Sequence, residues 1–288
     1  MTKVVNDAFN GRAPISDDEI KAMYLSQAET EAAQSPKLDF PTEIIDLPSR
    51  GQFYPEGHPL SSGKIELKYM TAREEDILSS ASLIKQGVVL DKLLQSLIVT
   101  KVKFDEILLM DKNAIFIAAR VLAYGNDYAV ELECPSCGVK HNEHIDLSSF
   151  EEKEVDWSGF TPGQTTFDFE LPVSKKKLAL KFLTQGDEKA IGEELKAAKK
   201  VSKFTGVDPE LTTRLKYMIA SVDGNSDRTM IAEFAKNMLS RDSFALREYL
   251  KKVTPDIDTT FTFDCSSCDY ENTKMAVPIT VQFFWPGA

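Results

Sequence analysis

Four cysteines are the residues whose spacing suggests chemistry. They fall in two Cys-x-x-Cys pairs, Cys134/Cys137 in VELECPSCGVKH and Cys265/Cys268 in TFDCSSCDY. Such a turn between two strands points both sulfurs the same way, and two turns supply the four ligands of tetrahedral zinc. A redox pair should open a helix, whose N-terminus lowers the thiol pKa. Here strand-like segments flank both pairs. The N-terminal stretch lacks an apolar signal core, so a reducing compartment is expected and structural disulfides are disfavoured. His141 and His144 follow the first pair closely. A local Cys2His2 site there would close poorly and leave two cysteines spare, so both histidines are read as exposed strand or turn residues. The expected site is zinc held by Cys134, Cys137, Cys265 and Cys268. Four thiolates leave no position open for water or substrate, so its expected role is structural.

No other constellation points to catalysis. The chain lacks a phosphate-binding glycine loop, a dinucleotide fingerprint, H-E-x-x-H and G-x-S-x-G. His58 sits in a turn-rich loop, YPEGHPLSSG. The pairs Glu74/Glu75 and Asp187/Glu188 are placed to complement helix dipoles in first turns. A non-enzyme is expected. With 288 residues, 42% hydrophobic and 27% charged, the composition is that of a soluble globular protein. No apolar run is long enough to span a membrane. The net charge of −11 argues against a nucleic-acid binder, which needs a basic face to displace counterions from phosphates. A zinc-ribbon protein that binds nucleic acid is the alternative reading.

The elements that must position the cysteines are mixed α+β. Residues 1–40 are polar and read as a flexible arm with one short helix, capped by Ser16 and Glu19. Ile20, Met23 and Tyr24 would share a face of that helix and are candidate partner-binding residues. From 41 the pattern tightens into a looped hairpin whose second strand is Ile65–Met70. A helix from Thr71 to about Leu83, a leucine-striped helix over 88–99, and a helix from Asp111 as N-cap to Gly125 as stop should follow. Strands then lead into and out of the first Cys-x-x-Cys turn, closing a unit at 147. Residues 148–164 read as an acidic linker. Residues 165–288 repeat the order: a hairpin, helices near 185–201, 208–222 and 229–240, a last helix capped by Asp242, and a second Cys-x-x-Cys hairpin.

The repetition extends to residues. IELKYMTAREEDIL (65–78) aligns without gaps on LALKFLTQGDEKAI (178–191), matching Leu67/Leu180, Lys68/Lys181, Thr71/Thr184 and Glu75/Glu188. Setting Cys134 on Cys265 independently brings Asp111 onto Asp242 and Asp127 onto Asp258. The expected fold is therefore α+β, two related units joined through a shared zinc-ribbon-like four-cysteine site. Duplication also accounts for the 127 residues (138–264) between the pairs. The C-terminal Phe283, Phe284 and Trp285 either pack on the second unit or present an anchor to a partner.

Over residues 40–99 the chain resembles the baseplate hub protein family of T4-like contractile-tailed bacteriophages. The resemblance rests on LPSRGQFYPEGHPL, GKIELKYMTAREEDIL and VLDKLLQSLIV. It implies a structural or assembly role in the tail baseplate hub, with other tail or hub proteins as partners. The implied location is the cytoplasm of an infected bacterium and then, for a virion component, the tail. It brings no catalytic residues.

Overall fold

In the computed structural model, which describes residues 40–205 and 208–285, the chain is a mixed α+β protein with small antiparallel sheets. The expected arm helix with Ile20, Met23 and Tyr24 lies outside the described residues. Strands β1 (Thr42–Asp46) and β2 (Lys64–Lys68) pair antiparallel, Ile45 opposite Ile65. The long loop between them folds back on itself. Gly51 and Gly63 have positive φ, and a Cβ on Gly63 would come 2.7 Å from the Arg50 backbone, so glycine is required there.

Thr71 and Glu74 form a capping box at the start of α1 (Ala72–Ser79), with Lys68 Nζ donating to Glu74 Oε1 at 2.8 Å. The single helix expected over 71–83 is two, because Ser80 takes an extended conformation before α2 (Ala81–Gln86). Helix α3 (Val89–Leu97) buries Leu93, Leu94 and Leu97, as its leucine stripe requires. Beyond it, Ile98 bridges to Leu67 on the open edge of β2. Helix α4 (Leu109–Tyr124) stops at Gly125 and is followed by β3 (Asp127–Glu133) and β4 (Lys140–Asp146).

The segment 148–164 is pinned rather than loose. Lys153 N–H donates to Asp256 O, Asp258 N–H donates to Glu151 O, and Phe160 packs edge-on against Phe53 and Phe167. Strands β5 (Phe167–Glu170) and β6 (Lys177–Leu180) come next, then α5 (Gln185–Thr205) and α6 (Glu210–Met218). The sequence reading ran α6 on to residue 222. In the structure its last four residues are a strand, β7 (Ile219–Val222), which pairs with β6 and buries Ile219 and Val222. Helices α7 (Arg228–Lys236) and α8 (Ser240–Val253) lead to β8 (Thr260–Asp264) and β9 (Glu271–Ala276).

Asp111 and Asp242 are not the N-caps they were read as. The caps are Leu108 and Leu239, and each aspartate is the third residue of its helix. Both are fully buried because their carboxylates serve the hairpin loops of β1–β2 and β5–β6. Asp111 accepts from Ser49 N–H at 2.9 Å, Ser49 O–H at 2.8 Å and Tyr54 O–H at 2.8 Å. Asp242 accepts from the N–H groups of Val173 and Ser174 at 2.8 and 3.0 Å.

The aromatic tail corrects a second expectation. Phe283 and Phe284 are fully buried, packed on Tyr128 of β3 and Phe116 of α4, so they complete the core beside the first half and are not available as anchors. Trp285 is half-buried against the same core.

Candidate metal centre

Each Cys-x-x-Cys turn is built by the strands around it. Strands β3 and β4 alternate exposed and half-buried residues and deliver Cys134 to the hairpin tip. There Cys134 N–H donates to Val139 O, and Gly138, at φ 72°, closes the turn by donating to Cys134 O. In the second hairpin Cys265 N–H donates to Tyr270 O in the equivalent place.

The two tips meet. Cys134 Sγ lies 3.8 Å from Cys268 Sγ, and Cys137 Sγ lies 3.6 Å from Cys265 Sγ. All four sulfurs fall within 4.8 Å of one another. A tetrahedron with metal–sulfur bonds of about 2.3 Å has edges of about 3.8 Å. The pairing is reciprocal, the first cysteine of each turn facing the second of the other. Cys134 and Cys265 are buried in a small apolar cluster with Phe263, flanked by Leu132, Phe261, Tyr270 and Met275.

The electrostatics are those of a site that prefers a cation. Burial pushes the Cys134 thiol up, but the N–H groups of Cys137 and Ser136 and the neighbouring thiols bring it down to about 7. The Val139 N–H favours a Cys137 thiolate. Burial and the three other sulfurs outweigh it and push Cys137 up to about 12. A Cys134 thiolate is therefore readily formed and a second charge on Cys137 is resisted. A divalent cation would remove that resistance, since soft thiolates deprotonate on binding. The donor set and spacing fit such an ion, and four protein ligands would close its shell.

His141 is a strand residue of β4, as expected, but it is not exposed. It is half-buried, with Nε2 3.2 Å from Cys265 Sγ and its ring edge-on to Phe263. The signal was its place in the strand: pairing opposite Leu132 sets it beside the knuckle. His144 is exposed and pairs with Asp127 at 3.0 Å, as a surface strand residue would.

The other carboxylates considered have structural partners. Glu74 binds Lys68 and the Thr71 backbone, and Asp187 binds Lys181 and the Thr184 backbone in the same pattern. In the β1–β2 loop His58 stacks on Tyr54 and accepts from Leu60 N–H. Among the described residues no helix is long and apolar enough to cross a membrane.

A family model described as T4 bacteriophage base plate protein matches residues 42–285. Nothing among curated proteins or solved structures matches the chain.

Proposed function

Because the chain belongs to the T4 bacteriophage base plate protein family, we propose that it is a structural or assembly protein of the tail baseplate hub. On this reading it is a non-catalytic protein–protein interaction module of two related units clamped by zinc. Its partners are other tail or hub proteins. The family match along nearly the whole described chain carries the proposal. The family supports a structural role, and the four-cysteine site suits one because it is closed.

The duplicated organisation is supported by paired details. Lys68–Glu74 and Lys181–Asp187 make the same bridge below the same threonine cap. Ile98 and Ile219 both cap a nine-residue helix and pair with the second hairpin strand, at Leu67 and Leu180. Asp111 and Asp242 are both buried third residues that hold a hairpin loop. Zinc is supported by the all-thiolate donor set and its spacing, with Cys134, Cys137, Cys265 and Cys268 as ligands. His141 would donate a hydrogen bond to the Cys265 sulfur, a partner of the kind that fixes a ligand's position.

Two measurements test the reading. Mass spectrometry of purified phage particles against infected-cell lysate separates a virion component from a transient assembly factor. Detection in neither fraction would sink the baseplate assignment. Metal analysis of the purified protein should give one zinc per chain, lost on Cys265→Ser. Undiminished zinc in a folded variant with all four cysteines changed to serine would refute the ligand assignment.

A further inference from the structure

The two halves share a contact that each of them is equipped to make but that is made only once. The segment before α4 lies on the segment after β6. Leu109 N–H donates to Leu183 O at 2.9 Å, Gln185 N–H donates to Ile107 O at 2.8 Å, and Leu108 bridges Thr184 antiparallel. Ile107, Leu108, Phe182, Leu183 and Gln185 are all buried there. Segment 105–109 is thus a plug and segment 182–186 its socket.

Both parts occur a second time. Leu239 precedes α8 with the backbone that Leu108 has before α4, φ −59° and ψ 139° against −67° and 142°. Tyr69–Arg73 follow β2 as Phe182–Gly186 follow β6, ending in the same capped threonine turn. These second copies do not meet each other. Among the described residues no backbone hydrogen bond joins 238–240 to 70–72. Leu239 is 50% exposed where Leu108 is 5% exposed, and Ala72 is exposed where Gln185 is buried. The cysteine contact is reciprocal between the halves, whereas this one is head-to-tail. A head-to-tail contact leaves one end of each kind free.

We propose that the free plug around Leu239 of one copy of this chain docks in the free socket around Ala72 of a second copy, so that the protein assembles head-to-tail. The proposal rests on the reading of the halves as equivalent units. Its occupant is set by the internal contact, which shows which backbone groups would pair and which side chain would be covered. Leu239 would enter the antiparallel bridge with Thr71, and Ser240 N–H would donate to Met70 O. Arg73 stands where Gly186 permits the closest approach to Asp105, so the intermolecular contact is looser at that corner.

The test uses the full chain in reducing buffer. Light scattering and sedimentation equilibrium would be run on wild type, Leu239→Glu and Ala72→Glu, with zinc content measured on the same samples. Both substitutions are at exposed positions, so the variants should fold with wild-type circular dichroism. Wild type should exceed monomer mass increasingly with concentration, and each variant alone should stay monomeric. Mixed, the variants should double in mass to a 1:1 dimer and stop, since one retains only the socket and the other only the plug. A wild type that is monomeric at every concentration, or mixed variants that stay monomeric, would overturn the proposal. If that monomer carries one zinc per chain, the zinc-clamped reading stands. Head-to-tail assembly without zinc would instead support this inference and sink the zinc assignment.

Discussion

Removing the Asp111 carboxylate should release the long β1–β2 loop. In Asp111→Ala, Ser49 N–H, Ser49 O–H and Tyr54 O–H lose their common acceptor in a fully buried place. Each stranded buried donor costs about 1–3 kcal/mol. The Ser49 hydroxyl can turn away, which leaves Ser49 N–H and Tyr54 O–H as stranded donors and an expected loss of about 2–6 kcal/mol. Against a typical stability of about 5–15 kcal/mol, this should be plain as a shift in urea midpoint. Asp242→Ala is the control. Its donors lie at a turn where Val173 is already 42% exposed, water can replace the carboxylate, and about 1–2 kcal/mol is expected.

The two aspartates also differ in pH dependence. Burial pushes the Asp111 carboxyl up to about 6 in spite of its hydrogen bonds. A folded pKa above the unfolded one means that its contribution is fullest below the usual carboxylate range and falls as pH rises through about 6. The gap between wild type and Asp111→Asn should therefore narrow over that rise. At Asp242 burial also pushes up, but hydrogen bonds from Ser174 and Val173 hold the carboxyl below its ordinary value, so its contribution is lost as pH falls. An Asp111→Ala midpoint within about 0.5 kcal/mol of wild type would refute the idea that this carboxylate pins the loop.

Three further outcomes are expected. On the zinc-clamped reading, Cys265→Ser, or a strong chelator, should release the metal, separate the two hairpin tips and speed proteolysis within 127–146 and 260–276; unchanged cleavage would show that the cluster clamps nothing. Phe284→Ala empties a fully buried site against Phe116 and should cost about 3–5 kcal/mol by denaturant titration. Gly63→Ala forces a Cβ onto the Arg50 backbone at positive φ, so soluble yield and thermal midpoint should both fall. Gly57→Ala, at a similar φ but with nothing within 4 Å, should be milder.

The sequence was most legible where periodicity and turn chemistry agree. The leucine stripe of α3, the Gly125 stop, the paired hairpins and the convergence of the four cysteines could all be read from residue types. The readings that failed turned on tertiary partners. Helix propensity ran α6 into residues 219–222, but Ile219 and Val222 are buried by pairing with β6, which local pattern cannot report. Asp111 and Asp242 had the type and place of caps, yet loops distant in sequence claimed their carboxylates. His141 needed the β3–β4 register before its approach to Cys265 could be seen. Three consecutive aromatics left packing on the second unit and anchoring a partner both open, and only the fold puts Phe283 beside Tyr128 of the first half.

That last contact bears on how the protein is made. Tyr128 and Phe116 emerge from the ribosome long before Phe283 and Phe284, so the core around them stays open until residues 283 and 284 have been made. The first cysteine pair likewise waits for Cys265 and Cys268. Both long-range closures wait for residues 265–284, and contacts so remote in sequence form slowly. A product ending before residue 265 would lack half the sulfur cluster and carry an exposed aromatic surface, two marks by which proteases and chaperones recognise an unfinished chain. Only a chain that extends through residue 284 can hide both.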